Sequence, residues 1–256
     1  AAYGEWMNRN GKAPRVVVGR DARVSGSMLS NIVTGTLNAM GVDVVDLGLS
    51  TTPTVELAVK EEEAGGGIII TASHNPKQWN ALKLLNENGE FLRADDGEAV
   101  LNIARSEDYS YAKPEKLGAV YRNSTYLQQH IDKILDLPLV DADAIKASKF
   151  KIVVDCVNST GGLIVPKLLN SLVVTQLTEL FCAPNGRFPH NPEPLEENLS
   201  TLIHEVRFQN AHLGIAVDPD VDRLAFVSQD GSYFGEEYTL VAVADYVLEN
   251  QQGPVV

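Results

Sequence analysis

Three aspartates stand at alternate positions in one short stretch of the chain, Asp218, Asp220 and Asp222, within the run GIAVDPDVDR from Gly214 to Arg223. In an extended loop their charges repel one another, and a cation among them relieves the repulsion. Hard carboxylate oxygens suit Mg²⁺ or Ca²⁺. The plain alternative is a solvated acidic loop without metal, against which the apolar flanks argue. A second stretch, Thr71-Ala72-Ser73-His74-Asn75-Pro76, follows the β-branched run GIII. Open α/β sheets place their ligand sites just beyond the carboxyl ends of strands, and Ser73 has that position. His74 and Asn75 add polar groups, and Pro76 stiffens the exit. By residue type alone, the same string also makes an ordinary turn.

Gly19–Gly26 reads GRDARVSG. Its two arginines and the helix signal behind them suit an anion. The alternative is that Asp21 or Ser25 caps the helix while the arginines are solvated. Lys83 lies in a short strand-like run, where a lone lysine usually faces water. Gly186–Pro194, GRFPHNPEP, is stiffened by three prolines and reads as a structural loop. Several chemistries fail on spacing. There is no G-x-S-x-G elbow for a Ser-His-Asp hydrolase. A calcium EF-hand needs Gly at the sixth loop position and Glu at the twelfth, where this chain has Arg223 and Gln229. An aspartyl phosphatase of the haloacid dehalogenase type, with Asp218 as nucleophile, is a near miss. Asp218 and Asp220 fit its D-x-D-x-[T/V] pattern, and Asp222 stands where Thr or Val belongs. A non-catalytic module that binds metal or sugar phosphate is a third reading.

Alternating elements must position these loops. In the first half, strands are expected at Arg15–Gly19, Val42–Leu47, Gly66–Thr71 and Ala81–Leu85, and helices at Met28–Met40, Thr54–Glu63 and Asp95–Ser106. Ser25 or Ser27 would cap the first of these helices, and Pro53 fits the opening turn of the second. Ser106–Tyr121 is polar and reads as a linker. The second half repeats the alternation. Strands are expected at Phe150–Asp155, Leu172–Leu177, Leu213–Val217 and Leu224–Ser228, and helices at Ser124–Leu135, Gly161–Leu169, Leu199–Phe208 and Tyr238–Leu248. The fold class is therefore α/β, as tandem similar domains, each a mixed sheet between helices. The boundaries read as 1–108, 109–232 and 233–256. The last is the start of a third α/β unit, whose next apolar run opens at Pro254 and is interrupted there.

Composition narrows the classes. The chain is 44% apolar and 21% charged, which is ordinary for a globular protein. A net charge of −13 disfavours nucleic acid and anionic membrane as partners. No stretch reaches the roughly 18 apolar residues of a membrane span. The two cysteines, Cys156 and Cys182, make no disulfide framework, and Cys156 reads as a buried, inert thiol. A cytoplasmic setting is the expectation.

Taken together, four segments resemble the α-D-phosphohexomutase family: GRDARVSG at Gly19–Gly26, TASHNP at Thr71–Pro76, GRFPHNPEP at Gly186–Pro194 and DPDVDR at Asp218–Arg223. They occur in the family's order, and the resemblance covers nearly the whole chain. It implies an intramolecular phosphotransferase that interconverts hexose 1-phosphate and hexose 6-phosphate of glucose or mannose. The phosphoglucosamine mutases share the same motifs and are the alternative. By resemblance, Ser73 is the phosphoserine. Asp218, Asp220 and Asp222 bind one Mg²⁺, with Ser73 contributing a phosphate oxygen. Arg20, His74, Lys83 and Arg223 line the transfer site, with Lys83 the candidate proton carrier. A phosphosugar is the substrate, and a hexose 1,6-bisphosphate is the intermediate and activator. The family has four domains. The chain therefore reads as the first two and the start of a third, with a shortened beginning, without the sugar-recognition loop, and with little mutase activity alone.

Overall fold

The computed structural model describes residues 1–253. The apolar run expected from Pro254 lies outside the described residues. Two compact units form. The first comprises Ala1–Ala72 and Gln78–Leu127, and the second comprises Ser73–Lys77 and the chain from Gln128 onward. The short Ser73–Lys77 segment thus groups with the second unit, although its neighbours in sequence belong to the first.

The first unit runs α1 (Ala2–Arg9), β1 (Arg15–Arg20), α2 (Gly26–Ala39), β2 (Asp43–Leu49), α3 (Thr52–Glu61), β3 (Gly66–Ile70), β4 (Leu82–Leu85), α4 (Ala94–Ser106) and β5 (Val120–Arg122), and α5 (Tyr126–Leu135) starts in it and runs on into the second. Its five strands are ordered β4-β3-β1-β2-β5, and only β4 is antiparallel to its neighbour. Successive residues of a strand point to opposite faces, and both faces here are covered. Val16, Val18, Val44, Ile68 and Ile70 pack under Trp6, Met7, Leu37 and Ile103. Val17, Val45 and Ile69 pack under Val55, Ala58 and Val59 of α3. Thr51 caps α3 by accepting from the Thr54 N–H, with Pro53 in the first turn as expected.

The second unit continues with α6 (Ala142–Ser148), β6 (Lys151–Asp155), α7 (Gly161–Ser171), β7 (Gln176–Leu180), α8 (Ser200–Gln209), β8 (Leu213–Val217), β9 (Leu224–Ser228), β10 (Tyr233–Phe234) and α9 (Glu236–Asn250). The order is β10-β9-β8-β6-β7, parallel at β8-β6-β7 and antiparallel at β9 and β10. Leu202 and Val206 of α8 cover one face, and Leu169 of α7 covers the other. The expected α/β class with mixed sheets is therefore what forms. In each half a central strand lies between two parallel partners, β3-β1-β2 and β8-β6-β7, and an antiparallel strand follows, β4 or β9. The β3–β4 and β8–β9 connections are equivalent in this plan.

Several expectations shift. The strand expected at Leu172–Leu177 is β7, at Gln176–Leu180. Helix α7 runs on to Ser171, and Val173 turns the chain at φ 60°. The polar Ser106–Tyr121 stretch holds a short 3₁₀ turn at Pro114–Lys116 and the start of β5. Ser25 stands at the start of α2 but makes no side-chain cap there, and its Oγ accepts from Asn80 Nδ2 at 2.9 Å. Helices α1 and α6 carried no sequence expectation.

Helix α1 is anchored through Tyr3. Its hydroxyl donates to the Leu85 carbonyl at 2.6 Å, and its ring stacks on Trp6 at 5.8 Å. This contact leaves no space beside β3. A Cβ at Gly66 would stand 2.0 Å from Tyr3 Oη and 2.6 Å from the Leu85 carbonyl oxygen. Gly66→Ala is therefore expected to destabilise the chain by about 1–3 kcal/mol in urea unfolding. An unchanged midpoint would show that α1 is not fixed there.

Candidate functional site

The aspartate loop begins where β8 ends. Asp218 and Asp220 are fully buried, and Asp222 is exposed. One ligand oxygen from each lies within 4.8 Å of the others, a spacing that suits one cation. Asp218 organises the loop. Its Oδ1 accepts from the backbone N–H groups of Asp222 and Arg223, both at 3.1 Å. Val221 is left at φ 62°, in the left-handed region that a β-branched residue rarely adopts. Such strain costs about 1–3 kcal/mol and persists only where surroundings enforce it. Part of that enforcement comes from the loop after β6. Ser159 Oγ and Thr160 Oγ1 both donate to the Pro219 carbonyl, at 2.6 and 2.7 Å.

Burial, and after it the charges of Asp220 and Asp222, push the Asp218 carboxyl well above the usual carboxylate range. The Arg223 N–H works in the opposite direction. The buried Asp220 carboxylate stands close enough to Asp218 to share one ligand site with it, so their like charges oppose each other. A divalent cation held by Asp218, Asp220 and Asp222 would relieve that repulsion. The donor set therefore fits a hard metal ion such as Mg²⁺.

Ser73 meets this cluster within the second unit. Its Oγ donates to Asp218 Oδ2 at 3.0 Å and lies 3.5 Å from Asp222 Oδ1. Ser73 is itself left-handed, at φ 50°. His74 Nδ1 is 3.3 Å from Ser73 Oγ, and His74 Nε2 is 3.8 Å from Glu193 Oε1. Arg223 Nη1 donates to Glu193 Oε1 at 3.2 Å and lies 3.7 Å from Glu236 Oε1. Ser73, His74, Asp218, Asp220, Asp222 and Arg223 therefore come together, six residues that the sequence had singled out.

Arg20 and Lys83 belong to the first unit. Arg20 ends β1, with Nη1 3.3 Å from the Asp21 carbonyl. Lys83 pairs opposite Ile69 in β4, and its ammonium stands 5.7 Å from the centre of the Phe91 ring. The GRDARVSG segment also holds a fully buried ion pair. Arg23 Nε donates to Asp21 Oδ2 at 2.9 Å, and the Arg23 N–H donates to Asp21 Oδ1 at 2.9 Å. Thr71 Oγ1 donates to the same Asp21 Oδ2 at 2.8 Å, and Arg23 Nη1 donates to the Trp79 carbonyl at 3.0 Å. One pair thus grips the chain on both sides of the Ser73–Lys77 segment.

Residue types did not single out Glu193, Ser159 or Thr160 for a role at this site, and they offered Arg23 as an anion ligand or a solvated side chain, whereas it is buried in an ion pair with Asp21. Glu193 lay inside a segment that residue physics treats as structural. Ser159-Thr160 stand just before the helix expected at Gly161–Leu169. Cys156 is buried as expected, and its thiol is pushed up by the neighbouring Cys182 thiol and then by burial. Among the described residues no helix is long and apolar enough to cross a membrane.

Comparisons with known proteins identify the chain's family. A family model described as phosphoglucomutase/phosphomannomutase, alpha/beta/alpha domain I, matches residues 1–110, and its domain II counterpart matches residues 128–231. A Thermococcus kodakarensis protein named phosphoglucomutase/phosphomannomutase is 38% identical, over 98% of this chain and 55% of the relative. A Methanopyrus kandleri protein named as a probable phosphoglucosamine mutase is 37% identical, over 99% of this chain and 54% of the relative. The chain thus spans about half the length of these curated relatives. The crystal structure of a phosphoglucomutase/phosphomannomutase family protein from Burkholderia thailandensis superposes with a TM-score of 0.83 at 29% identity, covering 97% of this chain and 53% of that one. With both domain models matched in order, the chain belongs to the phosphoglucomutase/phosphomannomutase family, the α-D-phosphohexomutases.

Proposed function

We propose that the chain supplies the phosphoryl-transfer half of a phosphohexomutase, with Ser73 as the residue that carries phosphate. The observation that carries this reading is the Ser73 hydroxyl seated 3.0 Å from Asp218 in the three-carboxylate cluster. A phosphoserine holds nearly two negative charges at neutral pH, and bare carboxylates would repel it. Bound Mg²⁺ would neutralise the cluster and draw charge from the phosphoryl oxygens. Asp218, Asp220 and Asp222 would hold that ion, with a phosphate oxygen on Ser73 beside them. Ser73 gives its phosphoryl group to a sugar hydroxyl, so the Oγ–P bond breaks as the sugar O–P bond forms. Lys83, as the neutral amine, takes the hydroxyl proton and gives it back to the Ser73 Oγ that is released. The resulting hexose 1,6-bisphosphate returns its other phosphoryl group to Ser73 Oγ. Arg20, His74 and Arg223 steady the group in transit.

Glucose or mannose phosphates are the proposed substrates. Glucosamine phosphate is the second reading, favoured by the name of the Methanopyrus kandleri relative. Rates on the three hexose 1-phosphates, for this chain within a polypeptide of the relatives' length, decide between them.

The carrier itself is tested by intact mass. With Mg²⁺ and glucose 1,6-bisphosphate, the chain is expected to gain about 80 Da, localised to Ser73. A hydroxylamine-labile phosphate on Asp218 would instead establish the aspartyl-phosphatase reading. No phosphate on the chain, and no turnover by the longer polypeptide, would leave a binding module.

A further inference from the structure

The loop Gly186–Pro194 reads as structural by residue type, yet its Glu193 reaches both Arg223 and His74. Pro189, Pro192 and Pro194 have no N–H to donate, so this loop depends on side chains for its conformation. His190 occupies its middle. His190 Nε2 lies 3.0 Å from Asp155 Oδ2, and Nδ1 lies 2.7 Å from the Asn191 carbonyl oxygen. A carboxylate and a carbonyl both only accept, so both ring nitrogens donate and the ring is an imidazolium. Asp155 ends β6 at 1% exposure, and its other oxygen accepts from the Val157 N–H at 3.0 Å. The edge of the Phe181 ring, just after β7, completes the setting at 5.8 Å.

The contacts continue along the loop. Asn191 Oδ1 accepts from the Glu193 N–H at 3.3 Å, and Glu193 Oε1 then accepts from Arg223 Nη1 at 3.2 Å. We propose that His190 is a positioning residue for phosphoryl transfer: paired with Asp155, it sets the loop so that Glu193 holds Arg223 and His74 around Ser73. This inference rests on the phosphotransfer reading above.

The titration of His190 is consistent with that role. Burial of the ring opposes its charge, but the Asp155 carboxylate and the Asn191 carbonyl outweigh burial, so its pKa is raised above the ordinary 6.5. Asp155 is the charged group that faces it, from β6. A raised imidazole stabilises the fold fully below its unfolded pKa, and the contribution is lost as pH rises through the folded value.

The test compares His190→Gln, Glu193→Gln and the double variant for the rate of Ser73 phosphorylation by glucose 1,6-bisphosphate with Mg²⁺. Melting temperatures are recorded alongside. His190→Gln is expected to slow phosphorylation about tenfold, the scale seen when the support of an active-site group is removed. Because His190 acts through Glu193, the double variant should be no slower than Glu193→Gln alone. The Arg223 guanidinium N–H resonances should shift to the same positions in both single variants, a signature that a purely structural role would not produce. Should His190→Gln melt early, His190→Gln/Asp155→Asn removes both charges and carries the same comparison. Multiplying losses, or unmoved Arg223 resonances beside a phosphorylated unmodified chain, would overturn the proposal alone. An unmodified chain that takes up no phosphate overturns the phosphotransfer reading, and this inference with it.

Discussion

Asp218→Asn is expected to make the metal-free chain more stable while abolishing its response to Mg²⁺. Asn keeps an Oδ1 that accepts from the Asp222 and Arg223 N–H groups, so the loop retains its frame. It removes the charge whose burial, beside Asp220 and Asp222, raises the Asp218 pKa. The sign follows from linkage. A carboxyl raised in the folded state binds more protons there than in the unfolded chain. In chelator, stability therefore falls as pH rises from the ordinary carboxylate range through the raised value. The variant should lose that slope. Mg²⁺ at a hundredfold excess over its dissociation constant should add about 2.7 kcal/mol to the unmodified chain and nothing to the variant. Phosphoryl uptake at Ser73 should fall on the order of 10²–10³-fold, as when a preorganised electrostatic group is removed. Thermal melts with and without Mg²⁺, and intact mass, report these effects. Equal stabilisation of both proteins by Mg²⁺ would rule out the cluster as the binding site.

The buried pair of Asp21 and Arg23 is expected to have the largest effect on stability. Both side chains are fully buried and pair at 2.9 Å. Arg23→Met removes the guanidinium from the buried Asp21 carboxylate, which keeps the Thr71 hydroxyl and the residue-23 backbone N–H, and removes the bond to Trp79. Breaking one side of such a pair costs about 3–5 kcal/mol, whereas exchanging both charges for apolar groups costs much less. Arg23→Met and Asp21→Leu should each lower the urea midpoint strongly, and the double variant should fall well short of their sum. Additive losses would mean that the pair is not the organising contact. Arg23 also grips Trp79, beyond the Ser73–Lys77 segment, so the single variants should reduce Ser73 phosphorylation even where folding is restored by cooling.

The sequence revealed this fold most clearly where burial is two-sided. Val16–Val18 and Gly66–Ile70 are continuous apolar runs, and they became the central strands. An edge strand lacks that signal. In β7, QLTEL, no residue is fully buried, so the apolar Leu172-Val173-Val174 nearby looked more like a strand. Those residues instead turn the chain, and Val174 packs against the core. Helix α1 has Gly4 inside it and no side-chain cap at Ala1, so its local signals were weak and its stability comes from packing. Helix α6 did carry a readable sign, Asp141 accepting from the Ala144 N–H at 2.9 Å. The site was legible as separate loops, because Ser73 and Asp218 each follow a buried strand. The supports around it were not. Glu193 meets Arg223 across 30 residues and Asp21 meets Thr71 across 50, and no local pattern records such distances.

The equivalence of the β3–β4 and β8–β9 connections has a consequence for how this chemistry is laid out. One hairpin-like slot in a repeated scaffold carries the Ser73 hydroxyl in the first copy and three carboxylates in the second. On the proposed reading, the phosphate carrier and the metal cage therefore occupy the same position of a repeated plan. TASHNP and DPDVDR share almost no residues, so the likeness lies in the backbone path and not in the letters.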